Sequence, residues 1–324
     1  MAPLSRFVVR RAAAAFVLLL LVLTATFFLL HLAPGDPTQL LDNPRIPPAQ
    51  RAHLREIYGL DRPLAVQYFS WLRAAARGDW GDSWVHHRPA ARVLAEAFPA
   101  TALLAAAALP LEAALGLALG VAAARRRGAW SDHVLRTVSL VIYALPTFWL
   151  GLMAILAFSV RWPIFPASHL RSVGAGELGP LAAALDVARH LALPALVLAV
   201  TNAGGLARFV RNSLLDTFSQ DYIRTARAAG ISERRVVWVH ALRNTLPPLV
   251  QVLGLQLPLL LSGSLVIEVV FSWPGVGRLA YDAVLTRDYP LVLAATALAG
   301  VLVVLGTLLA DLVLAAVDPR VRHA

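Results

Sequence analysis

The sequence predicts an all-α integral membrane protein with six transmembrane helices. Three observations carry this. Of 324 residues, 58% are hydrophobic and only 15% charged, whereas soluble domains carry about a quarter. The apolar residues gather in runs of about 20, the length that crosses a hydrocarbon core about 30 Å thick. The charge is also of one kind: all 29 basic residues are arginine, and they collect mainly between the runs.

Taken in order, charge-free runs occupy Ala12–His31, Thr137–Val160, Leu246–Ile267 and Pro290–Ala310, and Leu191–Ala207 is a shorter one. Ala97–Ala124 is interrupted only by Glu112. The first run follows Arg10 and Arg11 as a signal peptide would. Its length and the poor cleavage site at its end favour an uncleaved span. With the N-terminus cytoplasmic, the inner segments hold 16 arginines against six acids and the outer ones 13 against 12. That asymmetry places both termini in the cytoplasm. The expected organisation is a first span with a long extracytoplasmic loop over 1–96 and a five-helix core over 97–318. The core contains a cytoplasmic loop at 208–245, and a short tail covers 319–324.

Several functions are excluded on composition. Without cysteine there is no disulfide, thiolate chemistry or cysteine-ligated zinc. Without lysine there is no P-loop, so any ATP and magnesium used for work must be bound by another chain. No HExxH, GxSxG or paired intramembrane carboxylates suggest catalysis. The formal charge of +10 reads as a topology signal in a chain this apolar, not as a nucleic-acid surface. The His86-His87 pair lacks companions at ligand spacing and reads as solvent-exposed, with no metal site.

The cytoplasmic loop holds the strongest signal. Gln220–Ala229 should be helical, Gly230 should break it, and Ser232 should cap a second helix with Glu233 near its positive end. Tyr222, Ala226 and Ala229 share one helical face, with Ile223 and Gly230 beside them. Such a ridge of small side chains, flanked by Arg224 and Arg227, suits a partner's groove; a loop lying on lipid headgroups is the other reading.

The run from Asp221-Tyr222-Ile223-Arg224-Thr225-Ala226-Arg227 through Gly230-Ile231-Ser232-Glu233 to His240, Leu242, Arg243 and Asn244 resembles a known loop. It is similar to the EAA loop of binding-protein-dependent ABC permeases of the dipeptide/oligopeptide/nickel family. Arg224-Thr225-Ala226 stands where Glu-Ala-Ala occurs more broadly. Pro34-Gly35-Asp36-Pro37, Leu60-Asp61-Arg62-Pro63, Gly81-x-Ser83, Phe98-Pro99-Ala100-Thr101, Leu145–Gly151, Phe271–Arg278 and Asp318-Pro319-Arg320 extend the likeness over most of the chain. The resemblance implies a type I importer fold and a non-catalytic subunit forming half of a translocation pathway. It further implies a second homologous permease, two ATPase subunits docked on the loop, and an extracytoplasmic substrate-binding protein. The coupling helix would comprise Arg224, Thr225, Ala226, Arg227, Ala229, Gly230, Ile231, Ser232 and Glu233. Peptides head the implied substrates, with nickel chelates, glutathione or opines behind them.

Two stripes bear on the pathway. Gln251, Gly254, Pro258 and Ser262 form a small, polar face on the fifth span, suited either to pore lining or to helix packing. Glu112 shares a face with Gly116 and Gly120 and should point into the bundle, there to meet a substrate amine, line a cavity or pair with an arginine. A self-contained proton-coupled transporter built on Glu112 is the competing function. Trp273, Pro274, Gly275 and Gly277 read as an outer gate or binding-protein contact, with Trp273 and Pro274 in an interfacial aromatic belt.

Overall fold

The computed structural model describes residues 2–32, 59, 61–177, 179–261 and 264–317. The Pro34–Pro37 motif, Leu60, Ser262 and Asp318–Arg320 lie outside them. Every regular element among these residues is a helix, apart from one isolated bridge between Asp82 and Pro89. Lipid explains why: backbone polar groups there must be satisfied within the segment itself.

The helices run α1 Ala2–Leu32, α2 Leu64–Ala75, α3 Ala90–Arg125, α4 Trp130–Ala144, α5 Thr147–Ile155, α6 Pro180–Phe218, α7 Asp221–Ala228, α8 Glu233–Leu261, α9 Leu265–Val270, α10 Val276–Leu285 and α11 Tyr289–Val317. Five of them (α1, α3, α6, α8 and α11) hold stretches long and apolar enough to cross a membrane. A sixth apolar stretch is a bent pair, Trp130–Ala144 with Thr147–Arg161, which makes either a broken span or a re-entrant loop.

The sequence suggested a single span over Thr137–Val160, but α4 and the helix continuing from α5 meet at 98°. The cause is Pro146. It supplies no N–H and forces its predecessor out of the helical region, so Leu145 sits at φ −74°, ψ 139°. The fifth span also stops early: α8 ends at Leu261, and Ile267 belongs to the separate α9. Conversely, α3 and α6 outrun their apolar cores. At 39 residues, α6 is about 58 Å long, so Pro180–His190 and Arg208–Phe218, read from sequence as connecting segments, are helical.

The α3–α6 contact is the most extensive in the bundle, and it is close. A Cβ at Gly116 would lie 2.6 Å from the Leu206 side chain, and one at Gly120 would lie 2.7 Å from the Ala207 carbonyl oxygen. One at Gly204 would fall 2.6 Å from the Ser139 carbonyl, which brings α4 against the same helix. Hydrogen is all these places admit. Where α4 starts, Asp132 is buried and accepts from Arg211 Nε at 2.8 Å and Nη2 at 2.7 Å. The planar guanidinium makes this a two-bond clamp between α4 and α6.

Three apolar clusters lie along this frame. One packs Leu104, Leu193, Ile267, Phe271 and Trp273 around the first half of α6. A second packs Val121, Val210, Leu214, Ile223 and Val236 around its second half. The third joins Val93 and Leu94 to Val276, Leu291 and Ala295.

Candidate coupling and gating sites

The loop after α6 folds as the sequence suggested in outline. Helix α7 is followed by Gly230 at φ +75°, a conformation L side chains rarely adopt, with open space around it. Ile231 N donates to the Ala226 carbonyl at 3.2 Å, closing the helix end. Across the turn, Arg227 donates to both Glu233 oxygens, at 2.7 and 3.1 Å, and the pairing raises the guanidinium pKa further above its ordinary value. Ser232 occupies the cap position of α8, but its hydroxyl caps nothing; its carbonyl accepts from Val236 N at 2.9 Å.

The face of α7 differs from the proposed ridge. Ile223 and Ala226 are buried against Val210, Leu214, Val236 and Val237 of the chain's own core. Ala226 therefore seats the helix on α6 and α8. Tyr222 and Ala229 are exposed, as are Arg224, Thr225, Arg227, Gly230, Ser232 and Glu233, while Ile231 is half-buried. Tyr222 also tethers α7 to α8, since Asn244 Nδ2 donates to its hydroxyl at 2.6 Å. The open surface is thus polar and small-residued, with the apolar side turned inward.

Glu112 points into the bundle, 1% exposed, against the side-chain amides of Asn202 on α6 and Gln256 on α8. One oxygen of Glu112 and the oxygen of Gln256 have no hydrogen-bond partner among the described residues. Asn202 and Gln256 were not singled out in the sequence, because nothing local links positions so far apart. The stripe on α8 splits. Gln251 is exposed and Gly254 half-buried, but Pro258 is buried against Gly306 of α11, where a Cβ would meet the proline ring at 2.5 Å. Pro258 is therefore a helix-packing residue within this chain.

The Phe271–Arg278 segment is held by a carboxylate that the sequence reading passed over. Glu268 is fully buried; it accepts from Thr101 Oγ1 at 2.9 Å and from Arg278 N at 3.0 Å, so it caps the N-terminus of α10 from a distance. Thr101 Oγ1 in turn accepts from Val276 N at 2.8 Å. Gly275 and Gly277 leave room for this carboxylate, which a Cβ at either would crowd. Trp273 is not in an interfacial belt. It is completely buried, and its Nε1 donates to the Ala100 carbonyl at 2.8 Å. Of the four residues proposed as gate or contact, only Pro274 is exposed. Nearby, buried Asp288 plays the equivalent part for α11, accepting from Ser83 Oγ and from the Val85 and Leu291 amides, which explains the Gly81-x-Ser83 motif. His86 and His87 are exposed, and no three metal-ligating side chains converge among the described residues.

Replacing Glu268 with alanine leaves Thr101 and the α10 amide without their acceptor. It should lower stability by about 1–3 kcal/mol, while Glu268→Gln keeps part of it. Thermal unfolding of the detergent-solubilised chain checks this. Equal midpoints for Glu268→Ala and the unaltered protein would show that the cap is dispensable.

Comparison with known proteins follows the same architecture. Residues 116–323 match the family described as binding-protein-dependent transport system inner membrane component, and residues 4–105 match its N-terminal region. The oligopeptide transport system permease protein AppB of Bacillus subtilis is 38% identical over 99% of this chain and 100% of its own length. The dipeptide transport system permease protein DppB of Escherichia coli K12 is 36% identical over 98% and 99%. The glutathione transport system permease protein GsiC of Salmonella choleraesuis is 38% identical, also over 98% and 99%. Among solved structures, an inward-facing form of the MetNI methionine ABC transporter matches with a TM-score of 0.53 and 20% identity, over 70% of this chain and 96% of that one, a likeness of fold. A bundle with at least five helices long and apolar enough to cross a membrane, a glycine-hinged loop and this family match across nearly its whole length is a multi-pass inner-membrane permease: the chain belongs to the binding-protein-dependent transport system inner membrane components.

Proposed function

We propose that this chain forms half of the translocation pathway of an ABC importer for peptides. Separate ATPase subunits drive it through the surface between Asp221 and Glu233, a second homologous permease completes the pathway, and an extracytoplasmic binding protein delivers substrate. The carrying observation is that loop. Its Ile223–Ala226 side is locked into the core, its turn is fixed by Gly230 and the Arg227–Glu233 pair, and its other side is open. A surface so held moves with α6 and α8, which is the mechanical requirement for coupling. Peptides are favoured because relatives matching the chain end to end are named for oligopeptide and dipeptide transport; GsiC keeps glutathione, itself a small peptide-like solute, in view.

Docking is tested with side chains that distinguish the two faces. Ala229→Trp enlarges the exposed face without touching the core. It should abolish co-purification of the ATPase subunits and reduce uptake at least about tenfold while leaving thermal stability unchanged. Ala226→Leu overpacks the core and should instead lower stability, by about 1–3 kcal/mol. ATPase association that survives Ala229→Trp would place the docking surface elsewhere.

Arginine asymmetry supports an orientation with both termini and α7 in the cytoplasm. The cysteine-free sequence makes this easy to check, with Ala229→Cys and His87→Cys probed by a membrane-impermeant maleimide. Intact cells should label position 87 alone, and position 229 should react only after permeabilisation. The reverse pattern would invert the topology and remove the ATPases from reach.

Within the pathway we assign Glu112, with Gln251 and Gly254, to the wall that opens during transport. Unpartnered acceptor oxygens inside a bundle suit a donor that arrives transiently, such as a peptide ammonium. Glu112→Gln conserves volume and should lower uptake at limiting peptide concentration about tenfold with subunit assembly intact. Wild-type uptake by this variant would reduce Glu112 to a packing role.

A further inference from the structure

Two cavities at one end of the bundle share a wall, and their linings differ in kind. The first, about 300 Å³, lies among α1, α2, the 79–84 loop and the start of α11. Its sides are aromatic. The ring of Phe27 stacks on His31 at 4.1 Å and lies 5.6 Å from Trp71; His31 lies 5.1 Å from Tyr289, which lies 5.3 Å from Trp84. Arg62 and Asp79 also line it. Arg62 pairs with no carboxylate among the described residues. Asp79 uses one oxygen to accept from Gly81 N at 2.9 Å. Trp71 Nε1 is buried and has no hydrogen-bond partner among the described residues, an unmet donor that asks for an acceptor.

The second cavity, about 400 Å³, is a groove between α3 and α11 with Trp80 common to both. It is lined by Leu94, Phe98, Leu298 and Val301, with alanines between them, and holds no charged side chain. From Ala294 to Val301 it runs seven residues, or about 10 Å, along α11. Helix α2, on the wall of the first cavity, exposes Phe69 by 67% and Val66 by 45%, as an interfacial helix does.

A chamber with a cation, an acid, aromatic faces and an orphan donor, opening past one tryptophan into a hydrocarbon slot, has the polarity profile of a single class of molecule. We propose that the paired cavities bind an aminophospholipid. Its phosphate lies between Arg62 and Trp71 Nε1, its ammonium lies against the aromatic faces near Asp79, and one acyl chain lies along the α3–α11 groove. Each half is needed. Arginine and an indole N–H satisfy phosphate oxygens; rings and a carboxylate satisfy an ammonium; only a chain covers a slot without polar groups. The site fastens α1 and α2 to the start of α11 through lipid, independently of which face of the membrane it occupies.

The test uses the full chain with whatever subunits co-purify, delipidated in mild detergent. It is offered phosphatidylethanolamine or phosphatidylglycerol with identical acyl chains brominated near mid-chain. Native mass spectrometry reads retained lipid, and tryptophan quenching reads its position. Phosphatidylethanolamine should be retained at one per chain with quenching, and phosphatidylglycerol about tenfold more weakly. Arg62→Gln, at an exposed position, and Trp71→Phe, which removes only the donor, should each weaken retention about tenfold. Leu298→Trp should fill the groove and abolish quenching, with unfolding midpoints confirming that all three variants are folded. Glycerophosphoethanolamine, the headgroup without chains, should compete poorly. Equal binding of the two lipids, equal competition by the free headgroup, or unchanged retention in Arg62→Gln and Trp71→Phe would each overturn the proposal. So would cross-linking of position 298 to a second protein chain in the native membrane.

Discussion

The bundle depends on a contact made possible by what three residues lack. Gly116, Gly120 and Gly204 bring α3 and α4 onto α6 at separations that exclude a single methyl group. In lipid there is no hydrophobic drive between helices, because acyl chains solvate leucine as well as another helix does. Close backbone approach and dispersion must supply the association instead. Once α3 and α6 are joined along their length, their two ends become the two sites of interest: Ala100 and Thr101 at one, Val121 and Val210 at the other.

At both ends the chain fixes loose segments with isolated charged groups turned inward. Glu268 caps α10, Asp288 caps α11, and Asp132 binds Arg211. A buried carboxylate is costly unless its oxygens are met, and here backbone amides, hydroxyls and a guanidinium meet them. The same side chains therefore organise the non-helical stretches that a membrane otherwise forbids. Glu112 is the exception. One of its oxygens is left without a donor among the described residues, which separates it from the structural acids.

Spans, loop helix and hinge were legible because each is written locally: apolar runs of 17 residues or more, arginines between them, and a glycine after a helical stretch. The break at Pro146 was legible too, in the proline itself, but a charge-free run on either side hid it. Glu268 and Asp288 could not be recognised, since their partners lie 167 and 205 residues away and no periodicity connects them. Ala226 misled for another reason. On a short helix with alanines and arginines on several sides, small residues point equally well to a partner's groove and to the chain's own core. Only the positions of Leu214 and Val236 decide which.

The length of α6 has a mechanical corollary. Its 39 residues are clamped by Arg211 near one end and packed among Phe271 and Trp273 toward the other, with Pro194 in the interior supplying no N–H to the helix. Tilting such a lever by 5° about one tip would sweep the opposite tip through roughly 5 Å, given a rise of about 1.5 Å per residue. A small push on the hinge side is thereby geared up into a displacement comparable to a helical turn on the far side.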